Sequence, residues 1–377
     1  MENPFYYGTT VSGKSFTNRK KEIKEIISDL RSGQNLFIYS PRRYGKTSLI
    51  KVVLKKLKKE NFATIYLDFY QIYSKERFIN LYSREIANVV TSRIKKLIDF
   101  FKRNVRNVIP SITTDESGKP KLQLEYSNQE RNISGLLEDV YQLPQKLAAE
   151  KNMKIVVVFD EFQEVTKLNG DKFGKEMRAN IQHHEKISYV FMGSKTHILL
   201  NMFNDKNNAF YKIGKMFYLN KLPQKDLINF IIKRFREGSY KINSESAKRI
   251  CNITKNHPYY TQMLCHEIWD IASDKKRVGK NELNIACDRI LKNQSELYLR
   301  IWDSLSTHQR ELLIALINSD GKSIFSKAYR EENKLPAPST INKCISALIE
   351  KQIVEKNKGI YEVPDMFFAQ WLKNNIA

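Results

Sequence analysis

The chain has 377 residues, 64 of them Lys or Arg and 41 Asp or Glu, for a formal net charge of +23. That length supports two or three domains with separate cores. Its apolar runs fall far short of the roughly 20 residues of a membrane span and its start, MENPFYYG, lacks a signal-peptide core, so a cytoplasmic protein without a membrane partner is expected.

The first twenty residues read as an extended, aromatic lead-in through Pro4, Phe5, Tyr6 and Tyr7, punctuated by Gly8 and Gly13. A helix follows, with Asn18 as its cap, Ile23, Ile26, Ile27 and Leu30 on one face, and Gly33 as its stop. Leu36 to Tyr39 form a short buried strand, Ser40, Pro41, Arg42, Arg43, Tyr44 and Gly45 a loop, and Lys46, Thr47 and Ser48 open a helix carried on by Ile50, Val53 and Leu54. This is the pattern of a phosphate-binding loop. It needs backbone N–H groups around an anion, a lysine reaching the outer phosphates, and a hydroxyl on Mg²⁺ at a helix N-terminus whose dipole favours negative charge. Gly45, Lys46 and Thr47 meet the template G-x-x-x-x-G-K-[ST]; Ser40 stands where its first glycine is expected. In nucleotide-binding domains a lead-in such as residues 1–20 commonly covers the base.

Residues 63–69, ATIYLDF, read as a second strand, followed by an amphipathic helix from Lys75 towards Phe101. Pro110, Gly118, Lys119 and Pro120, with the alternation of KLQLEY, make residues 107–133 an inserted hairpin or surface loop with no assigned chemistry. Helix resumes from Gly135 to Glu150 and leads into KIVVVFDEFQ, a valine-rich central strand ending in Asp160 and Glu161. Two carboxylates at the C-terminal end of a buried strand are costly unless they serve a function. The functional reading gives Asp160 to Mg²⁺ and makes Glu161 the general base for an attacking water; the alternative is a strand with an acidic cap. Phe173 to His184 then form a helix. Ile187 to Met192 form another buried strand, and Ser194 just beyond it is placed to touch a γ-phosphate or that water unless Gly193-Ser194 is only a turn. Met216 to Leu219 complete a five-strand reading.

Residues 223–300 read as helices without strands, interrupted at Asn256-His257-Pro258, with Pro258 in the first turn of a new helix. Residues 303–377 give helices at Thr307–Asn318, Ile324–Asn333 and Ser339–Lys351, then a hairpin turning around Asn357 to Gly359: a winged-helix pattern. Few of its side chains could reach DNA bases, and with 10 basic against 9 acidic residues it suits a protein partner better. Cys251, Cys265, Cys287 and Cys344 lack C-x-x-C spacing and read as buried free thiols. The basic excess sits towards the front, where residues 42–106 hold 17 basic and 5 acidic side chains, including Lys95, Lys96 and Arg103. Nucleic acid is the natural partner of such a face; the alternative is a lysine-rich bias general to the source proteome.

The chain resembles the P-loop ATPases abundant in archaea, the AAA+/STAND-related group often called archaeal ATPases. The blocks that carry the resemblance are FTNRKKEI, YSPRRYGKTSL, IYLDF, VVVFDEFQEV, FMGSKTHILLNMF, NHPYYTQML and EVPDMFFAQWL. It implies an α/β fold with a parallel sheet of the AAA+/ASCE type over residues 1–221, a helical lid over 222–302 and a winged helix over 303–377. It also implies ATP at Lys46 and Thr47, Mg²⁺ near Asp160, hydrolysis through Glu161, sensing at Ser194, and a lid contact at His257 and Pro258. The expected function is an ATP-driven conformational switch acting on nucleic acid. The competing classes are a regulator that holds ATP as a slow structural ligand, and an oligomeric motor or loader. A ring would need an arginine offered to a neighbour's γ-phosphate, and Arg178, on the helix after the acidic strand, is the residue placed for it.

Overall fold

The structure, a computed structural model, describes residues 2–11, 13, 16–17, 19–90, 94–106, 108–114, 120–126, 133–168, 170–357 and 359–376. The chain packs as two compact units, one of residues 19–220 and one joining residues 1–18 to 221–377.

The 19–220 unit is built on five parallel strands: β1 (Leu36–Tyr39), β2 (Ala63–Asp68), β5 (Ile155–Asp160), β6 (Ile187–Gly193) and β7 (Lys215–Tyr218), in the order β2-β5-β6-β1-β7. Parallel strands need crossovers, and helices supply them. They are α1 (Lys20–Arg31) ahead of the sheet, α2 (Lys46–Lys58), α3 (Lys75–Val90), α4 (Ile94–Asn104), α5 (Ile133–Lys151), α6 (Gly170–Ile181) and α7 (Thr196–Asn204). The order explains the composition. β5 and β6 are buried at every position, as strands covered on both faces must be, whereas the edge strand β2 alternates buried and half-buried. Register brings the C-terminal ends together, with Tyr39 beside Gly193, Phe159 beside Phe191 and Asp68 beside Asp160. Phe159, Phe162, Phe191, Phe203 and Phe210 fill the core next to those ends.

The five expected strands and their helices form, with differences. Asn18 lies outside the described residues, and Arg19 occupies the N-cap position of α1. The long helix expected from Lys75 to Phe101 is two helices, α3 and α4, with residues 91–93 between them outside the described residues. Within 107–133, β3 (Val108–Thr114) and β4 (Pro120–Tyr126) pair antiparallel as the hairpin reading required; Gly118 and Lys119 lie outside the described residues.

His184, at the end of the segment after α6, contacts Tyr189 Oη through Nδ1 at 2.7 Å and Gln142 Oε1 through Nε2 at 3.3 Å. Burial, and secondarily His183, push its imidazole down from 6.5 to about 4. The folded chain therefore keeps this ring neutral where the unfolded chain protonates it, so stability is lost as pH falls from about 6.5 to about 4. In a melting-temperature series over that window, His184→Gln should flatten the decline relative to the parent.

In the second unit, the lead-in corrects an expectation: residues 1–18 pack with residues 221–377 instead of the sheet. The cause is Phe5, fully buried against Phe235, Phe230 and Trp269, while the Asn3 amide donates to His266 O at 3.1 Å. The region after the sheet holds α8 (Gln224–Glu237), α9 (Ser244–Ile253), α10 (Pro258–Ile271) and α11 (Lys280–Asp303). It also holds two strands not expected there, β8 (Lys241–Ile242) and β9 (Arg277–Val278), paired in parallel; two-residue strands carry no periodicity to read. The winged-helix arrangement follows as α12 (Thr307–Asn318), α13 (Lys327–Glu332), α14 (Pro338–Glu350) and the antiparallel pair β10 (Glu355–Asn357) and β11 (Ile360–Glu362), closed by α15 (Met366–Asn375). All four cysteines are free, and Cys251, Cys265 and Cys344 are buried. No helix among the described residues is long and apolar enough to cross a membrane.

Candidate functional site

The loop between β1 and α2 turns through two left-handed positions, Arg43 (φ 65°) and Gly45 (φ 89°), and Gly45 is the N-cap of α2. Ser40 is fully buried and does not take a positive φ, so the missing first glycine costs the loop no backbone conformation it needs. Lys46 is buried, and its ammonium donates to Ser40 O at 2.8 Å and Pro41 O at 3.0 Å. Burial brings its pKa down to about 8 against the opposing pull of Glu161 and Asp160. The cation is thus held inside the loop by two carbonyl oxygens, the position from which it can meet an anion at the start of α2. Arg42 and Arg43 are exposed, Pro41 and Thr47 half-buried, and Tyr44 and Ser48 buried.

Asp160 ends β5 and is almost fully buried. Its Oδ2 accepts from Thr47 Oγ1 at 2.9 Å and from the Tyr66 hydroxyl, and its Oδ1 accepts from Glu161 N at 2.9 Å. Burial raises its pKa, the Glu161 charge adds to that, and the Tyr66 and Thr47 donors oppose it. Burial, then the Asp160 charge, raises the pKa of Tyr66, which keeps the phenol protonated and donating. Thr47 and Asp160 together offer oxygen ligands alone, the chemistry a hard divalent cation takes.

Glu161 sits in the left-handed region (φ 49°), a conformation that costs a non-glycine residue on the order of 1–3 kcal/mol and persists where surroundings enforce it. The surroundings here are donors. Glu161 Oε2 accepts from Ser194 Oγ at 2.9 Å, from Ser194 N at 3.3 Å and from the Gln163 amide. Gln163 is 2% exposed, and its Oε1 lies over Gly193, where an added Cβ would come within 1.9 Å of it. Lys195, next to Ser194, pairs with Glu164 at 3.3 Å and ties the end of β6 to the segment after Glu161.

The structure therefore brings together Lys46, Thr47, Asp160, Glu161 and Ser194 at the C-terminal ends of β1, β5 and β6. Arg178 does not join them: it is half-buried on α6, with Nε on Gln182 Oε1 at 3.3 Å. His257 and Pro258 belong to the other unit, where His257 is buried at the N-cap of α10. Three residues of the site were not singled out from sequence. Tyr66 read as a strand residue, and its partner Asp160 lies on a strand distant in sequence; Gln163 read as part of a motif, and its amide bonds to Glu161 two residues away while its Oε1 meets Gly193 on the distant β6. Arg19, inside FTNRKKEI, is buried and donates to Tyr44 O at 3.0 Å and to Glu22 at 3.0 Å, fastening the start of α1 to the loop.

A family profile described as an ATPase domain predominantly from Archaea matches residues 16–264, and one described as a probable winged helix domain matches residues 296–374. An uncharacterized ATP-binding protein of Methanocaldococcus jannaschii is 28% identical over 155 residues, 39% of this chain and 40% of that protein. A second from the same organism is 25% identical over 197 residues, 47% and 51% of the two chains, so the match spans about half or less of these relatives. Among solved structures, the Walker-type ATPase of Pyrococcus abyssi superposes with a TM-score of 0.65 at 16% identity, over 98% of this chain and 99% of that one. The Aeropyrum pernix ORC2 protein, in ADPNP–ADP complexes, gives 0.59 at 13% identity over 99% and 96%. At such identities these two likenesses establish the fold alone.

Proposed function

The chain belongs to the family of ATPase domains predominantly from Archaea, with the parallel-sheet α/β fold of P-loop NTPases and a C-terminal winged helix, and on that premise we propose that it binds and hydrolyses Mg²⁺-ATP. The observation that carries the reading is the convergence at three strand ends of a buried lysine, a hydroxyl bonded to a buried aspartate, and a glutamate held by Ser194 and Gln163. Ser40 to Ser48 cradle the phosphates, Lys46 meets the outer ones, and Thr47 and Asp160 hold the cation. When bound, Mg²⁺ offsets phosphate charge and orients the outer phosphate. Glu161 takes a proton from the attacking water, and Ser194 fixes the carboxylate that does so. His257 and Pro258 serve as the lid's contact to nucleotide, and Arg178 as the arginine offered to a neighbour if the protein assembles.

The differential contacts of ATP and ADP with these residues make the chain a conformational switch. Nucleic acid is the proposed partner of the basic 19–220 unit and a protein the proposed partner of the winged helix, with the cytoplasm as its place of action. The reading is tested first at Lys46. In Lys46→Ala, ATP affinity should fall by roughly 10- to 100-fold or more, the scale of removing a charge-assisted hydrogen bond, with an unaltered circular dichroism spectrum. Unchanged affinity in an equally folded variant rejects the phosphate-loop assignment.

A further inference from the structure

Outside the nucleotide site, a dense set of uncommitted charge lies between α8, α9 and the start of α11, in a cleft of about 950 Å³. Arg236, Lys241, Arg249, Lys275, Lys276, Arg277 and Lys280 line it, with Glu245 as the one carboxylate. Residues 222–302 carry 15 basic and 9 acidic side chains in all. A general lysine bias would spread both signs around the unit; here seven of the fifteen cations and one of the nine anions share a single cleft. All seven are exposed, and among the described residues none of them makes an ion pair, whereas Arg234, Arg289 and Arg300 of the same region each face a glutamate.

The backbone forces part of this crowding. β8 and β9 pair in a register that sets Lys241 opposite Arg277, and like charges so placed destabilise a strand pair. Lys276, whose carbonyl accepts from Lys241 N at 2.7 Å, takes a left-handed conformation (φ 45°) that a lysine adopts at a cost. A local arrangement that works against folding, with Glu245 as the one carboxylate against seven cations in the lining, is what a site for an external anion looks like. We propose that this cleft docks the phosphate backbone of a double-stranded nucleic acid.

The lining also argues which polyanion. A nucleoside or single strand is gripped by an exposed aromatic platform, but the one aromatic residue here, Tyr240, is buried with its hydroxyl on Trp269 O at 3.0 Å. What is offered is charge spaced along an open cleft much larger than one phosphate, which reads backbone and not base. Asn243 and Gly279 in the lining are the N-caps of α9 and α11, but Glu245 and Glu282 stand in the first turns of those helices and Glu282 Oε2 accepts from Gly279 N at 2.9 Å, so the positive potential comes from the side-chain cations. The cleft is distinct from the basic surface of the 19–220 unit, where Arg103 is already paired with Glu150 and Arg106 with Asp139.

The test uses the full chain, a fluorescent DNA duplex of arbitrary sequence, its RNA counterpart and inorganic polyphosphate, each titrated over a salt series. In the triple variant Lys241→Ala, Lys276→Asn, Arg277→Ala, duplex affinity at low salt should fall by roughly 10- to 100-fold. The slope of log affinity against log salt should flatten by about 2–3, near 0.9 for each phosphate no longer neutralised. ATP binding should stay at the parent value, which verifies the fold. Arg249→Glu, on a different element, should act in the same direction. Equal losses for DNA and RNA duplexes identify the shared backbone as the ligand. Parental affinity and slope in the triple variant overturn the proposal, as does a loss confined to polyphosphate or a parent chain that binds neither duplex.

Discussion

Glu161→Gln should leave Mg²⁺-ATP bound and reduce its turnover by two to four orders of magnitude, roughly 10²–10⁴, the usual scale for removing a general base. Asp160→Asn should instead weaken Mg²⁺-ATP binding itself. The asymmetry follows from what each carboxylate touches. Glu161 Oε2 accepts three donors from Ser194 and Gln163, and a glutamine at 161 keeps an acceptor for them while losing the basicity that removes a proton from water. Asp160 lies among donors: two hydroxyls meet Oδ2 and a backbone N–H meets Oδ1. An asparagine must turn its amide towards one of these sides, so one donor loses its acceptor and the cation loses a charged ligand. Isothermal titration with ATP, with and without Mg²⁺, and phosphate release under single-turnover conditions separate the effects. Parental turnover in Glu161→Gln would mean either that Glu161 is a strand cap or that the protein is a nucleotide-binding switch that barely hydrolyses, and trapping bound ATP from the purified parent protein tells these apart.

The parts of this site that could be read in advance share a physical property: their signal is local. A four-residue apolar strand, a glycine, a lysine and a hydroxyl lie within residues 36–47 of β1, the loop and α2, and the valine run of β5 announces a strand buried on both faces. What could not be read depends on pairing between distant segments. Tyr66 reaches Asp160 because β2 lies beside β5 in a register that sets Tyr66 opposite Val158, and no periodicity within ATIYLD states which strand is its neighbour. Ser194 meets Glu161 because β6 is inserted between β1 and β5, against chain order. The lead-in failed for another reason: Phe5 and its neighbours signal burial without naming the core that accepts them, and Phe235 and Trp269 provide it more than two hundred residues later. Strands β8 and β9 were missed because two residues cannot show alternation, and with them went the cleft they organise.

Gly193→Ala should be among the most damaging single-methyl additions in the chain, and Gln163 should be the reason. A Cβ at 193 would stand 1.9 Å from Gln163 Oε1, a distance that atoms do not tolerate, and 3.0 Å from Leu199 Cδ1, a tight contact that a small shift relieves. Gln163 cannot swing away freely, because it is buried and its amide is engaged by Glu161. Either the backbone at the end of β6 moves, carrying Ser194 with it, or the Gln163–Glu161 bond breaks; both disturb the carboxylate that acts on water. Overpacking of this kind costs about 1–3 kcal/mol, so the melting temperature should fall, and turnover should drop at least tenfold. The double variant Gly193→Ala, Gln163→Ala decides the cause, because shortening residue 163 removes the clash but not the need for its amide. Stability should return most of the way to that of Gln163→Ala alone, while turnover should stay low. If the two substitutions instead add independently in thermal unfolding, the contact between Gln163 and Gly193 is not what constrains this strand end, and Glu161 is positioned by Ser194 without it.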